Sequence, residues 1–367
     1  MIEVHMLKSF PPTNLNRDES GSPKSCFFGG SQRGRISSQS LKHSWRNDSE
    51  LQKFPLGVRT RYLADLIADK LLEDGVDQDT LELIKPKLSG FGKKDTKAKD
   101  DGLTGQIMFF SPADLTAISE TLQNLINSSS TKDLKNISVK NLQESLKSYT
   151  RPITVDMALF GRMITDVAFA DVEASLQVAH AISTHVVNME SDFFTAVDDM
   201  QRTYGSDAGS AMMGDIDFNS CCYYFYASLD MDQLMMNLAG LPDRDEVISK
   251  LVPGLISAMA FSNPSGKQNS FAGHSLPGLI CVQRKERKIP VSLANAFEKP
   301  VRSREGYMVP SVAALKEQMD MLDKTFGIPV DSRLWFAPGS DLVPGDSQTV
   351  DTLPDLLDEV RSWVKVR

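Results

Sequence analysis

The alternation of Ile2, Val4 and Met6 in "IEVHMLKSF" predicts a strand with one buried face, and it stops at Pro11-Pro12. More than twenty residues follow, "PPTNLNRDESGSPKSCFFGGSQRG", in which proline, glycine, serine and asparagine recur. A loop of that length inside a compact domain is uncommon and usually functional. It ends at Ile36, after which "SSQSLKHSWR" carries helix-start chemistry, since Ser37 or Ser38 can cap the open amides of a first turn. On that helix Gln39, Lys42 and Arg46 share a face by their spacing of three and four residues. Any fold for this chain must hold a long polar excursion between its first strand and its first helix.

The same stretch is the electrostatic exception in an acidic chain. The net charge is −8, yet residues 29–46 carry Arg33, Arg35, Lys42, His43 and Arg46 with no acid among them. Residues 1–62 hold ten Lys/Arg against five Asp/Glu, and residues 267–304 hold eight against Glu286 and Glu298. Two basic islands interleaved with Gly, Ser and Gln point to a local polyanion track. A helix N-terminus binds anions through its unsatisfied amides and positive dipole end. Arginine adds a bidentate fork for phosphate, and lysine a point charge. Residue chemistry alone leaves three readings for the strip: a nucleic-acid backbone, a phosphorylated small ligand, or a solvated basic helix.

Elsewhere the periodicity changes. "RYLADLIADKLLEDG" and the Ser111-capped "SPADLTAISETLQNLI" carry helical stripes, with "KNLQESLKSY" a shorter helix and the charged "SGFGKKDTKAKDDG" a linker. "SLQVAHAISTHVV", which places Val178, His180 and Ile182 on one face, reads as a strand, as do "FFTAV", "CCYYFYASL" and "LANAFEKPV". His180 is expected in the core or an interface. Strands and helices interleave around a helical insertion, so the expected class is α+β. At this length the chain can bury one large core or two modest ones. The four cysteines form no CxxC pair and are expected as free thiols of a reducing cytosol. No apolar run is long enough for a membrane span, and the N-terminus is too polar for a signal peptide. A cytoplasmic location is expected.

Several chemistries lack their signatures. There is no GxxxxGK[ST], no GxGxxG after a strand and no GxSxG elbow. His180 and His185 are five apart rather than four, which suits no zinc clamp, and neighbouring Asp198 and Asp199 make no paired-carboxylate site. No cofactor and no metal are expected.

The run "LNRDESGSPKSCFFGGSQRGRISSQSLKHSWR" resembles the N-terminal motif of the CasC family, the repeated backbone subunits of type I-E CRISPR Cascade complexes in the RAMP superfamily. "GRMITD", "AHAISTH", "DFFTAVDD", "GKQNSFAG", "LANAFEKPV" and "SREGYMVPS" follow in the family's order, so the resemblance spans residues 2 to about 312. It implies an RRM-like, ferredoxin-like palm over 1–55, 149–197 and 221–310, helical fingers over 56–148, a thumb hairpin over 198–220, and a loosely matched C-terminal segment, 311–367. It also implies head-to-tail copies along one CRISPR RNA, paired in segments with target DNA, alongside other Cascade subunits. Carried over by matching position, guide contacts fall on Arg17, Lys24, Ser37, Gln39, Lys42 and Arg46, with Arg33 and Arg35 in the same loop. Arg162 and Met163 match a palm position beside displaced bases, Met163 having core packing as its alternative. Lys267, Lys299, Arg302 and Arg304 match basic positions facing nucleic acid, or else form a solvated face. Met212, Met213 and Phe218 either wedge between base pairs or pack the thumb upon itself. Ser31-Gln32 and His43 depart from the family's basic residues.

The expected function is a non-catalytic scaffold. The alternative is an RNA endonuclease of the same superfamily, with His43 as general base or Asp18 positioning a water, as type III relatives cut target RNA with a loop aspartate.

Overall fold

In the computed structural model, β1 (Ile2–Thr13) is longer than its alternation suggests, and it is buried on both faces through residue 8. The structure describes residues 1–92, 102–147, 151–164, 166, 168–196, 199–200, 212–339, 342–343 and 347–364. These form two compact units: one of residues 1–51, 177–230 and 249–367, the other of residues 52–176 and 231–248.

In the first unit β1 pairs antiparallel with β9 (Met212–Leu229) on one side and β10 (Leu279–Arg284) on the other. Beyond β9 lies β7 (Ala181–Ser183), also antiparallel. With α1 (Ser38–Arg46) and residues 249–261 of the helix Arg244–Phe261, this unit runs strand, helix, strand, strand, helix, strand in the sheet order β10-β1-β9-β7. That is the ferredoxin-like palm that the resemblance implies, and the class is the α+β expected from the interleaved strands and helices. β11 (Ser332–Phe336) and β12 (Thr349–Val350) extend the sheet past β10.

The second burial of β1 comes from the C-terminal segment. Leu7, Tyr224, Tyr226, Leu279, Cys281 and Trp335 form one cluster with Val312, Leu315 and Met319 of the helix Met308–Phe326. The polar residues of this face are paired internally, as burial demands. The Tyr226 hydroxyl donates to Glu3 at 2.5 Å, Lys285 forms an ion pair with Glu3, and His5 Nδ1 lies 2.8 Å from the Tyr224 hydroxyl. Glu3 and His5 therefore look solvent-facing in sequence and are interior in the fold.

The long excursion after β1 is not a plain loop. β2 (Ser25–Phe28) and β3 (Ser31–Ile36) form a hairpin through Gly29-Gly30, and β3 joins the main sheet beside β7. Both turn glycines have positive φ, the conformation that glycine adopts without strain. "LANAFEKPV" differs too: Ala294–Phe297 is a 3₁₀ turn instead of a strand. The expected helices are present in the second unit, at Leu63–Glu73, Pro112–Ser128 and Val139–Ser145, with Gln78–Leu88 beside them. Ser111 and Asp114 form a reciprocal capping box at the second of these. Their apolar stripes meet in one cluster that includes Leu63, Ile67, Leu81, Phe110, Ile118 and Phe169. This unit is larger than the insertion expected at 56–148, and residues 93–101 of the charged linker lie outside the described residues.

Candidate nucleic-acid interface

The strip begins at a hydrogen-bonded loop that follows β1. Asn14 Nδ2 donates to the carbonyls of Gly21 and Asp217, each at 2.9 Å, and Asn16 Oδ1 accepts the Ser37 amide at 2.9 Å. Asp18 Oδ1 accepts from the Ser20 hydroxyl at 2.7 Å and the Ser20 amide at 2.9 Å. The Ser20 hydroxyl, foremost, holds the Asp18 carboxyl below its ordinary value. These bonds fix a turn that leaves Arg17 exposed and Lys24 half-buried. Ser37 caps α1, its hydroxyl accepting the Ser40 amide at 3.3 Å. Leu41 and Trp45 face inward, which leaves Gln39, Lys42, His43 and Arg46 on the outer side. The Ser37 side chain is buried and works as a cap rather than as an outward contact.

Arg33 departs most from expectation. It is fully buried, and its guanidinium donates to the carbonyls of Ser183 at 3.0 Å, Phe297 at 2.8 Å and Glu298 at 3.2 Å. It cannot meet a nucleic acid; it fastens the β2–β3 hairpin to residues 297–298. The hairpin turn seals the same contact, since a Cβ on Gly29 would lie 1.8 Å from the Glu298 carbonyl oxygen. Exposed Lys299, Arg302 and Arg304 follow directly, so this clamp sets part of the second basic island against the first.

Lys267 arrives by another close approach. A Cβ on Gly266 would lie 2.3 Å from the Leu15 carbonyl oxygen, and one on Gly273 2.0 Å from a Thr13 methyl. Lys267 itself has φ 50°, a left-handed conformation that costs a non-glycine residue energy and is often found at functional sites. The rest of the second island goes elsewhere. Arg284 pairs with Ile2, at the other end of β1 and about 35 Å of strand from Thr13. There Lys285 pairs with Glu3, and Lys288 with Asp230 at 2.7 Å. The island that is continuous in sequence is therefore split in space.

A hairpin with arms β8 (Glu190–Ala196) and the start of β9, paired from Glu190↔Phe218 to Ala196↔Met212, stands at the range expected as thumb, its first arm lying before the expected start at 198. Within the expected thumb range, residues 198 and 201–211 lie outside the described residues. Met212 and Met213 are exposed on the arm, whereas Phe218 is half-buried with its ring 5.7 Å from that of Phe271. Phe218 packs the hairpin base, which favours the self-packing alternative for this residue. Sequence reasoning passed over Phe193, which is 62% exposed on the opposite arm. Phe27 in the β2–β3 hairpin, 81% exposed, was passed over likewise. Their only sequence signal was an aromatic in a strand too polar to bury it.

In the second unit Arg162 is interior. Its guanidinium donates to Asp114 at 2.6 Å and to the Ala170 carbonyl at 2.8 Å, and Arg151 meets the same carboxylate at 3.2 Å. Arg162 is thus a structural ion-pair residue and not a contact. Met163 is 91% exposed, which removes core packing as its explanation. His180, expected in a core or an interface, is exposed in the first unit and hydrogen-bonded to Arg35. All four cysteines are free thiols, and burial pushes Cys221 and Cys281 up to about 12. Among the described residues, no cluster of three or more His, Cys, Asp or Glu side chains could hold a metal ion. No helix there is long and apolar enough to cross a membrane.

Over residues 2–362 the chain matches the CT1975-like protein family, and it belongs to that family. It is similar, at 28% identity and a TM-score of 0.82, to a chain of a structure titled "CRISPR RNA-guided surveillance complex, pre-nicking", with 99% of each chain covered. A second structure, "CRISPR RNA-guided surveillance complex", aligns at 23% identity and a TM-score of 0.61 over 99% of this chain and 98% of that one, a likeness of fold. No curated protein matches the chain.

Proposed function

We propose that this chain is a CRISPR-associated backbone subunit of a type I-E Cascade, of the CasC kind, that grips guide RNA without cutting it. Copies stack head to tail along one CRISPR RNA beside other subunits, and they present the guide in segments for pairing with target DNA in antiviral defence. One observation carries the reading. Close backbone approaches at Gly29 and Gly266 bring residue 298 to the β2–β3 turn and the Lys267 turn to Leu15, so two basic segments far apart in sequence meet the excursion that follows β1. A single phosphate needs far fewer groups, so the strip suits a polynucleotide backbone. Such a grip reads phosphates and sugars and leaves sequence to base pairing.

The nuclease reading has less support. The Asp18 carboxylate is committed to its own turn, and a carboxyl held below its ordinary value is a poor base. The His43 ring lies 3.2 Å from the Asn47 amide, a neutral neighbour. Co-expression with a CRISPR array and its neighbouring genes, followed by sequencing of the bound RNA, tests the proposal. One intact spacer flanked by repeat pieces is the expected result; no RNA, or random RNA that shortens with time, would refute it.

A further inference from the structure

Arg35 lies on β3 opposite Ile182 of β7, and His180 sits just before that strand. Arg35 Nε donates to the Ser25 carbonyl at 3.3 Å, and its NH1 group lies 3.0 Å from His180 Nδ1. A guanidinium has no lone pair to offer, so Nδ1 is the acceptor and the ring carries its proton on Nε2. Two of the five N–H donors are then fixed on the protein side, and the rest of the fork is presented in one orientation.

From this geometry we infer that His180 is a positioning residue of the strip: as a neutral acceptor it aims the Arg35 guanidinium at an RNA phosphate. A second cation at this place would repel Arg35; an imidazole orients it without that cost. Among the described residues, Lys24 is the second charged group bearing on the ring. Burial first, then the charges of Arg35 and Lys24, hold His180 below its ordinary value and so in the accepting form near neutral pH. Protonation would remove the acceptor and release the fork. The inference rests on the RNA-binding reading above, and its test separates the two.

The test is an anisotropy titration of the full chain with a labelled single-stranded RNA of mixed sequence, at about pH 7.5 and pH 5.5 and fixed salt. His180→Ala should weaken binding at the higher pH by about 5-fold, the worth of one hydrogen bond. His180→Asn, which keeps an acceptor near the Nδ1 position, should bind like the unaltered chain and also covers the case in which the alanine variant unfolds. In an Arg35→Ala background, His180→Ala should add no further loss. On acidification the unaltered chain should lose affinity relative to His180→Asn. Equal losses with and without Arg35 would overturn the inference, as would a relative gain at low pH, which would make the ring a cationic contact in its own right. Lys42→Ala with Arg46→Ala is the control. If that variant loses RNA while His180→Ala does not, this inference fails and the RNA reading stands. If the unaltered chain binds no RNA, both fail.

Discussion

Arg33 and Arg35 stand two residues apart on one strand and do different work. Arg33 is sealed in with three carbonyl acceptors, while Arg35 is half-buried with its fork against Ser25 and His180. Arg33→Ala removes the clamp and strands buried carbonyls, so it should cost about 3 kcal/mol or more, read as a fall in the unfolding midpoint. Arg35→Ala should leave that midpoint nearly unchanged and lower RNA affinity instead. His5 illustrates the same contrast for titration. Burial, then the charges of Lys285 and Arg333, push it down to about 3. The folded state thus keeps His5 neutral where the unfolded chain, titrating near 6.5, takes up a proton. Its contribution is complete above pH 6.5 and is lost as pH falls toward about 3. The unfolding free energy from denaturant titration should drop by on the order of a few kcal/mol between pH 7 and pH 4, and His5→Gln should flatten that decline. An equal decline in the variant would assign the loss to other groups.

At the scale of elements, the β2–β3 hairpin is the part on which the strip depends. Gly29 and Gly30 both have positive φ, yet only Gly29 abuts another backbone. Gly30→Ala should therefore cost only the strain of a left-handed alanine, about 1 kcal/mol. Gly29→Ala adds a collision with the Glu298 carbonyl and should displace the hairpin from residues 298–304. Its RNA affinity should fall well below that of Gly30→Ala when the two are compared side by side; equal affinities would mean that this juncture is not needed for the grip. The helices were legible because a 3.6-residue stripe and a serine cap are local signals, as at Ser37 and Ser111. The hairpin was not, because its strands are short, polar at alternate positions and paired at the edge of a sheet that sequence does not display.

For the whole molecule, an acidic chain that carries a basic strip should bind RNA with a strong salt dependence. Each phosphate neutralised on a single strand contributes about −0.7 to the slope of log affinity against log salt. Lys42→Ala with Arg46→Ala should lower that slope by about 1.4 and weaken binding equally for any guide sequence. An unchanged slope, or a loss confined to some sequences, would place these two side chains off the phosphates. Charge counting along the chain proposed two islands, but only the parts of the second that flank Lys267 and Lys299 join the first. Lys285 and Lys288 serve ion pairs at the far end of the sheet instead.

Local order was set by the sequence itself: the first strand, the capped helices, the α+β class, and the shared outer face of Gln39, Lys42 and Arg46. Each rests on periodicity or capping within a few residues, where side-chain spacing alone decides which face is apolar. The tertiary structure decided which charges are available to a ligand. Burial of Arg33 and Arg162, exposure of Met163 and His180, and the meeting of residues 298–304 with the hairpin all depend on contacts between segments distant in sequence. A cation reads the same in sequence whether it faces a carbonyl or water, and only the packed fold separates the two.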